Sequence, residues 1–186
     1  MLEIRRVQPA DLSGNSLEDQ VLAGDEVTVR IGRSGFSLSY SPASRAEWRV
    51  FPPAEETGLY LHLAGESSAI YAAYQQQHLV GVAAVTVSER GWGRLLDLRV
   101  DVHQRHAGVG TALLAACDEF ARRKGMGGLW AAVPDTNPVM CQFLEHSGFG
   151  VQGLDRMALA LTAEERRKPM QQRACMLHFY RTNEKG

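Results

Sequence analysis

The stretch Arg105-His-Ala-Gly-Val-Gly110 places two glycines two residues apart, directly before the small and large apolar residues Thr111 to Leu114. Glycine lacks the Cβ that keeps an anion away from the main chain. The first turn of a helix presents amide N–H groups without intrahelical acceptors, at the positive end of the helix dipole. Phosphate or pyrophosphate is the ligand this combination suits. Two common nucleotide loops are excluded: no Gly-Lys-Ser/Thr closes the stretch, and Leu113 stands where a dinucleotide fingerprint needs its third glycine. Taken alone, the stretch is equally an ordinary strand-to-helix turn.

The neighbouring elements decide how such a loop is presented. Arg94 to Val100 alternates as a strand, with Leu96, Leu98 and Val100 expected on one face and Asp97 and Arg99 on the other. From Gly110 to Lys124 the period becomes helical through Leu113, Leu114, Cys117, Phe120 and Ala121, with Gly125 as the stop. Leu129 to Val133 reads as a short strand, Asn137-Pro138 as the start of a helix that Gly148 ends, and Val151 to Leu161 as a strand. Thr162 to Arg173 reads as a loop, with Glu164 to Lys168 solvated, and Ala174 to Arg181 as a final strand.

Upstream, Leu2 to Val7 is a short strand and Ser13, Gly14 and Asn15 carry turn chemistry. Val27, Val29 and Ile31 alternate before Gly32 to Gly35, and Phe36, Leu38 and Tyr40 alternate after it, a hairpin signature. Ala69 to Tyr74 and Leu79 to Val87 are antiparallel strands around a polar turn. The expected fold class is α/β in the α+β sense: one mixed, mostly antiparallel twisted sheet with flanking helices.

Composition narrows the function classes. The chain has 186 residues, enough for one domain, and 20 basic against 21 acidic side chains give a formal charge of −1. No global field draws in nucleic acid or an anionic membrane. Cys117, Cys141 and Cys175 show no C-x-x-C spacing and are odd in number, which argues against a metal site or a disulfide scaffold and fits a reducing, cytoplasmic setting. No leader and no apolar membrane-spanning run is read from the sequence.

The run from Leu98 to Leu114 resembles motif A of the GNAT superfamily of N-acetyltransferases, whose loop reads Arg/Gln-x-x-Gly-x-Gly/Ala; Arg105, Gly108 and Gly110 fill those places. Asn137 with Gly148-Phe149 is similar to the superfamily's second motif. Asp135, Asn137, Cys141, Phe143, Gly148-Phe149 and Asp155, with the segment Val27 to Arg33 and the terminal strand Ala174 to Arg181, resemble the streptothricin acetyltransferases within it. The resemblance implies a single N-acetyltransferase domain over 1–186: a variable substrate or dimer part at about 1–68, core motifs at about 69–161 and a last strand at 174–181. It implies acetyl-CoA as cosubstrate, with the pantetheine arm entering between splayed strands. Val100, Val102, Arg105, His106, Ala107, Gly108, Val109, Gly110, Thr111 and Asn137 form the implied cofactor-binding set, without a metal. It further implies a small cationic amine as acceptor, such as a streptothricin-like antibiotic or a polyamine. A protein amino group, a catalytically idle coenzyme A sensor, and a homodimer are the alternatives carried forward.

Transfer to an alkyl amine of pKa near 10.4 at neutral pH asks for about three pH units of deprotonation, roughly 4 kcal/mol, from a base or from desolvation. Asp97 is the candidate base by strand position, acting through water; a structural hydrogen bond is its other reading. Many superfamily members carry a tyrosine seven residues after the capping Asn, to protonate the leaving thiolate, and here Leu144 stands there. Tyr180 is the candidate replacement, against a packing role in the last strand. Ala132 replaces the glutamate of the streptothricin pattern, and Val102 stands where proline is frequent, where it should still extend the backbone. Asn137 is read first as a helix cap alone, with a polar contact to the pantetheine or adenosine side as a compatible second role, Cys141 as a packed thiol, and His103 and His106 as exposed loop residues. Glu18, Asp19, Asp25, Glu26, Glu55 and Glu56 are candidates to hold a cationic acceptor.

Overall fold

A computed structural model describes residues 1–12, 17, 19–51, 63, 65–159, 162, 165–169 and 173–183. The Ser13 to Asn15 turn, the Pro52-Pro53 pair, Glu18, Glu55, Glu56, Leu161 and Glu164 lie outside the described residues, as does the side chain of Asp19. The strands are β1 (Leu2–Val7), β2 (Asp19–Gly32), β3 (Gly35–Phe51), β4 (Ser68–Gln75), β5 (His78–Val87), β6 (Gly93–Val100), β7 (Gly128–Pro134), β8 (Gly150–Asp155) and β9 (Met176–Thr182); the helices are α1 (Val109–Arg123) and α2 (Pro138–His146). A mixed, mostly antiparallel sheet has the order β1-β4-β5-β6-β7-β9-β8, and β2-β3 is a separate ribbon. Among the described residues no helix is long and apolar enough to cross a membrane. By contacts the chain divides into two compact units, one of Met1–Gln20, Val50–Trp130 and Thr182–Gly186, the other of Val21–Arg49 and Ala131–Arg181.

In the first unit β1, β4, β5 and β6 form an antiparallel ladder, with Ile70 opposite Ala84, Ala72 opposite Val82, and Val82 opposite Arg99. Residues opposite one another share a face, so the pairing sorts the side chains. One face takes α1, which buries Val109, Leu113, Leu114, Cys117, Phe120 and Ala121 at helical spacing. A Cβ on Gly81 would come within 2.8 Å of Leu113 Cδ1 and 2.9 Å of Val109 Cγ1. The helix can lie this close because β5 has no side chain there. The other face carries Ile70, Ala72, Val82 and Ala84, packed with Leu12 and Leu63.

β6 departs from simple alternation. Val85 pairs with Leu95 but Ala84 pairs with Asp97, which leaves Leu96 as an extra residue, a β-bulge. Leu98 and Val100 keep the α1 side, opposite Ala83 and Gly81, while Leu96 packs against the Ile70 cluster. The expectation that Leu96 shares a face with Leu98 and Val100 is therefore corrected. The bulge moves it to the side of Asp97 and Arg99.

The second unit holds α2, β8 and all but the end residues of the β2-β3 ribbon and β9. The expected hairpin is present, with arms longer than its alternating core. Three contacts tie it to α2 and the turn before it: the Tyr40 hydroxyl donates to Glu145, Gln142 Nε2 to Asp25 Oδ2 at 3.1 Å, and Arg49 Nη1 to the Thr136 carbonyl. β8 ends at Asp155, short of the expected Leu161, because the Asp155 carboxylate accepts the Met157 and Ala158 amides and turns the chain. Glu165, expected in a solvated loop, is instead buried in a 3-10 turn, accepting the Ala174 amide at 2.6 Å and pairing with Lys168 at 2.8 Å.

Candidate active site

The glycine loop starts where β6 ends. Val102, expected to stay extended, opens a 3-10 turn over Val102–Gln104, because Asp101 caps it by accepting the His103 amide at 2.8 Å. Arg105 returns to extended backbone and its Nε donates to the Val100 carbonyl at 3.2 Å. His106 (φ 61°) and Gly108 (φ 81°) are both left-handed, with Ala107 between them. Such alternation turns successive amides to one side, the geometry of an anion nest. A Cβ at Gly108 would meet no atom within 4 Å, so the space beside that residue is open.

The first helical bond of α1 runs from the Ala112 amide to the Gly108 carbonyl at 3.0 Å, which leaves Val109, Gly110 and Thr111 N–H without acceptors inside the helix. No acidic side chain occupies that first turn. His106, Ala107, Gly108 and Thr111 are exposed, whereas Val109 is buried and fixes the turn to the sheet. These residues fit the pyrophosphate of a coenzyme A: open donors, positive dipole, and no competing carboxylate.

Asp97 lies on the face of β6 away from α1. Arg99 Nε reaches its two oxygens at 3.0 and 2.9 Å, and Nη2 reaches Oδ2 at 2.8 Å. The side chains are only 10% and 2% exposed. A carboxylate held by a bidentate guanidinium is committed to that partner, so the geometry favours the structural reading of Asp97 over the base. Arg99 Nη1 also donates to the Leu17 carbonyl. Sequence reading missed Arg99, although Asp97 and Arg99 two apart on one strand are a signal for such a pair.

In the second unit Asn137 caps α2, its Oδ1 accepting the Met140 amide at 3.0 Å, with Pro138 at the first helical position. Leu144 is fully buried and has no proton to give. Cys141 is fully buried too, its thiol pushed up to about 12, mainly by burial, which makes it packing material. Tyr180 sits in β9 opposite Gly150, partly exposed, and His178 two residues before it is partly exposed as well. Ala132 offers a methyl group and no carboxylate. Asp135 holds the start of β9, accepting the Cys175 amide at 3.0 Å, and burial raises its carboxyl above the ordinary range. The Tyr40 to Glu145 bond was also unforeseen; its partners stand 105 residues apart in sequence, and no local pattern links them.

Residues 38–149, more than half of the chain, match the Acetyltransferase (GNAT) family. The chain belongs to that family. It is 29% identical over 170 residues to a streptothricin acetyltransferase from Streptomyces lavendulae, covering 88% of this chain and 89% of the relative. Streptothricin acetyltransferase A of Bacillus subtilis is 28% identical over half of this chain and 53% of its own length. Among solved structures, a Bacillus anthracis protein assigned as a streptothricin acetyltransferase, in complex with acetyl coenzyme A, superposes with a TM-score of 0.82 at 18% identity, covering 99% of this chain and 98% of the other. Nourseothricin acetyltransferase superposes at 0.78 with 24% identity, covering 98% and 99%. At these identities the superpositions establish the GNAT fold. The two motifs that carried the family resemblance, the Arg105 loop and Asn137 with Gly148-Phe149, are thus parts of a GNAT acetyltransferase.

Proposed function

We propose that this GNAT protein moves an acetyl group from acetyl-CoA directly to an amine of a small cationic molecule of streptothricin type. The observation that carries the cofactor side is the pair of left-handed residues His106 and Gly108, which open the Val109, Gly110 and Thr111 amides toward one anion. Arg105 adds a cation beside them, and Val100 and Val102 supply main chain at the strand end. Asn137, besides capping α2, is assigned a polar contact to the cofactor. When bound, acetyl-CoA supplies the activated acetyl group as a thioester. The chain's part is to hold it, exclude water and bring the acceptor nitrogen near as the neutral amine. The relatives named for streptothricin support the acceptor class.

The proton steps are assigned differently from most of the superfamily. Leu144 removes the usual acid, and Tyr180 is the residue proposed to protonate the departing thiolate. Asp97, engaged by Arg99, is assigned to the architecture of β6, and the amine proton passes to water. A second reading, an idle coenzyme A sensor, draws on the same buried Leu144 and on Ala132.

One experiment separates the two: a thermal-shift titration with coenzyme A beside thiol release over a panel of amines including streptothricin. Stabilisation with turnover supports the transferase, and stabilisation without turnover on any amine supports the sensor. No stabilisation at all defeats both. Gly108→Val should abolish the shift, since a β-branched residue at φ 81° is strained and covers the open space beside the loop; an unchanged shift would move the cofactor elsewhere.

A further inference from the structure

We propose that β2 is the edge through which this protein associates with a second copy of itself, the two β2 strands pairing antiparallel across a two-fold axis at Thr28. The β2-β3 ribbon is a sheet of two strands only, so one side of β2 carries main-chain N–H and C=O groups that no strand takes among the described residues. A long open edge is a template for another chain, and proteins that stay single blunt it with proline, with charge or by keeping it short. β2 runs for 14 residues and contains no proline. β3 is the poorer edge, since Pro42 has no N–H to give an incoming strand.

The order of side chains on β2 identifies the chain that fits. Glu26, Thr28 and Arg30 alternate as exposed residues on one face, and Val27 and Val29 are partly buried on the other. Glu26 and Arg30 have no hydrogen-bond or ion-pair partner among the described residues, unlike Asp25, which accepts from Gln142 Nε2. Two antiparallel copies centred on Thr28 set Glu26 of each directly opposite Arg30 of the other, and Val27 opposite Val29. The contact is isologous, so each of these pairs occurs twice. Sliding one copy by two residues puts both charges against uncharged positions, and sliding it by four brings two glutamates or two arginines face to face. Charges on an edge ordinarily repel a second strand; here opposite signs four residues apart select one partner and one register.

Sedimentation velocity of the full chain over a dilution series tests this. The wild type is expected as a dimer. Glu26→Arg and Arg30→Glu each set like charges opposite one another twice, and each should raise the dimer Kd roughly tenfold or more. Mixing the two single variants, or combining both changes in one chain, restores opposite signs at every pair and should restore the dimer. Both side chains are exposed, so circular dichroism and Tm should not move. Thr28→Cys gives an independent reading, because directly paired strands hold their Cα atoms about 4.5–5.5 Å apart, within reach of a disulfide. The native cysteines are buried. A mild oxidant should link Thr28→Cys into a dimer and leave Ile31→Cys unlinked, since its two copies would stand about 20 Å apart. A wild type that is monomeric at the highest concentration overturns the proposal. So does a dimer that survives both single charge reversals, or one that links through Ile31→Cys and not through Thr28→Cys, either of which assigns the contact to another surface. Growth beyond two copies overturns it as well, in favour of a head-to-tail contact.

Discussion

Asp97 shows how one carboxylate can mislead a mutational experiment. Asp97→Asn removes the charge that compensates the Arg99 guanidinium, itself 2% exposed. Stranding one partner of a buried pair costs about 3–5 kcal/mol, a fall in Tm on the order of 10 °C for a chain of this size. Calorimetry on Asp97→Asn and on the double variant Asp97→Asn/Arg99→Gln checks it: the single variant should be the less stable of the two, and equal stability would remove the compensation argument. Lost activity in the single variant is thus no proof of a base. Tyr40 gives a second residue-level prediction. Burial first, and then the bond to Glu145, hold its phenol well above the ordinary value of 10.0. The unfolded chain releases that proton first as pH rises, so stability is fully present below about pH 10 and is lost above it. Tyr40→Phe should lower stability at neutral pH by about 1 kcal/mol and flatten the alkaline decline; denaturant melts between neutrality and alkaline pH read both effects. The Arg105 loop was legible because its signals are local: the glycine spacing runs directly into the helix periodicity of Leu113 to Ala121. The Arg99 to Leu17 bond and the burial of Glu165 were not, because each depends on a main-chain group brought in from elsewhere.

At the scale of elements, legibility followed the strength of the period. Both helices stood out since each buries one regular face, and the β4-β5 hairpin since its strands are near-continuous apolar runs buried on both faces, whereas β2 and β3 outgrew their expected ends. Residues 41–47 of β3 are mostly exposed and mix Ser, Pro, Arg and Glu, so no apolar alternation marks that arm as strand. The bulge in β6 was invisible for another reason: it is a property of two strands, and only the pairing with β5 shows that Leu96 has no partner. Close packing of α1 on β5 yields a prediction at this scale. Gly81→Ala would push its Cβ to 2.8 Å from Leu113 and 3.1 Å from the Arg99 carbonyl. The expected cost is about 1–3 kcal/mol of overpacking. Because Val109 is one of the displaced contacts and opens α1, acetyl-CoA affinity should weaken as well. Chemical denaturation with a coenzyme A titration checks both; full affinity in a destabilised variant would show that the loop does not depend on how α1 is seated.

Across the whole molecule, the three cysteines are buried and none is in a disulfide. Burial raises the thiols of Cys117, Cys141 and Cys175, which keeps them out of the reactive thiolate form. A thiol reagent should therefore label the native protein slowly and the unfolded protein at all three sites. Rapid labelling of any one in the native state would contradict this burial. The same inertness means that free coenzyme A thiol can be followed in the turnover assay without interference from the enzyme. The extra residue in β6 carries a last consequence, one for the lineage of the chain. Deleting Leu96 would leave Leu95 opposite Val85 and Asp97 opposite Ala84, a regular ladder in which Leu98 and Val100 still face α1. The strand can therefore lose this one residue, and with it a side chain of the Ile70 cluster, without exchanging its faces. A single insertion or deletion anywhere else in β6 has no such outlet and would turn Asp97 and Arg99, or Leu98 and Val100, to the wrong side.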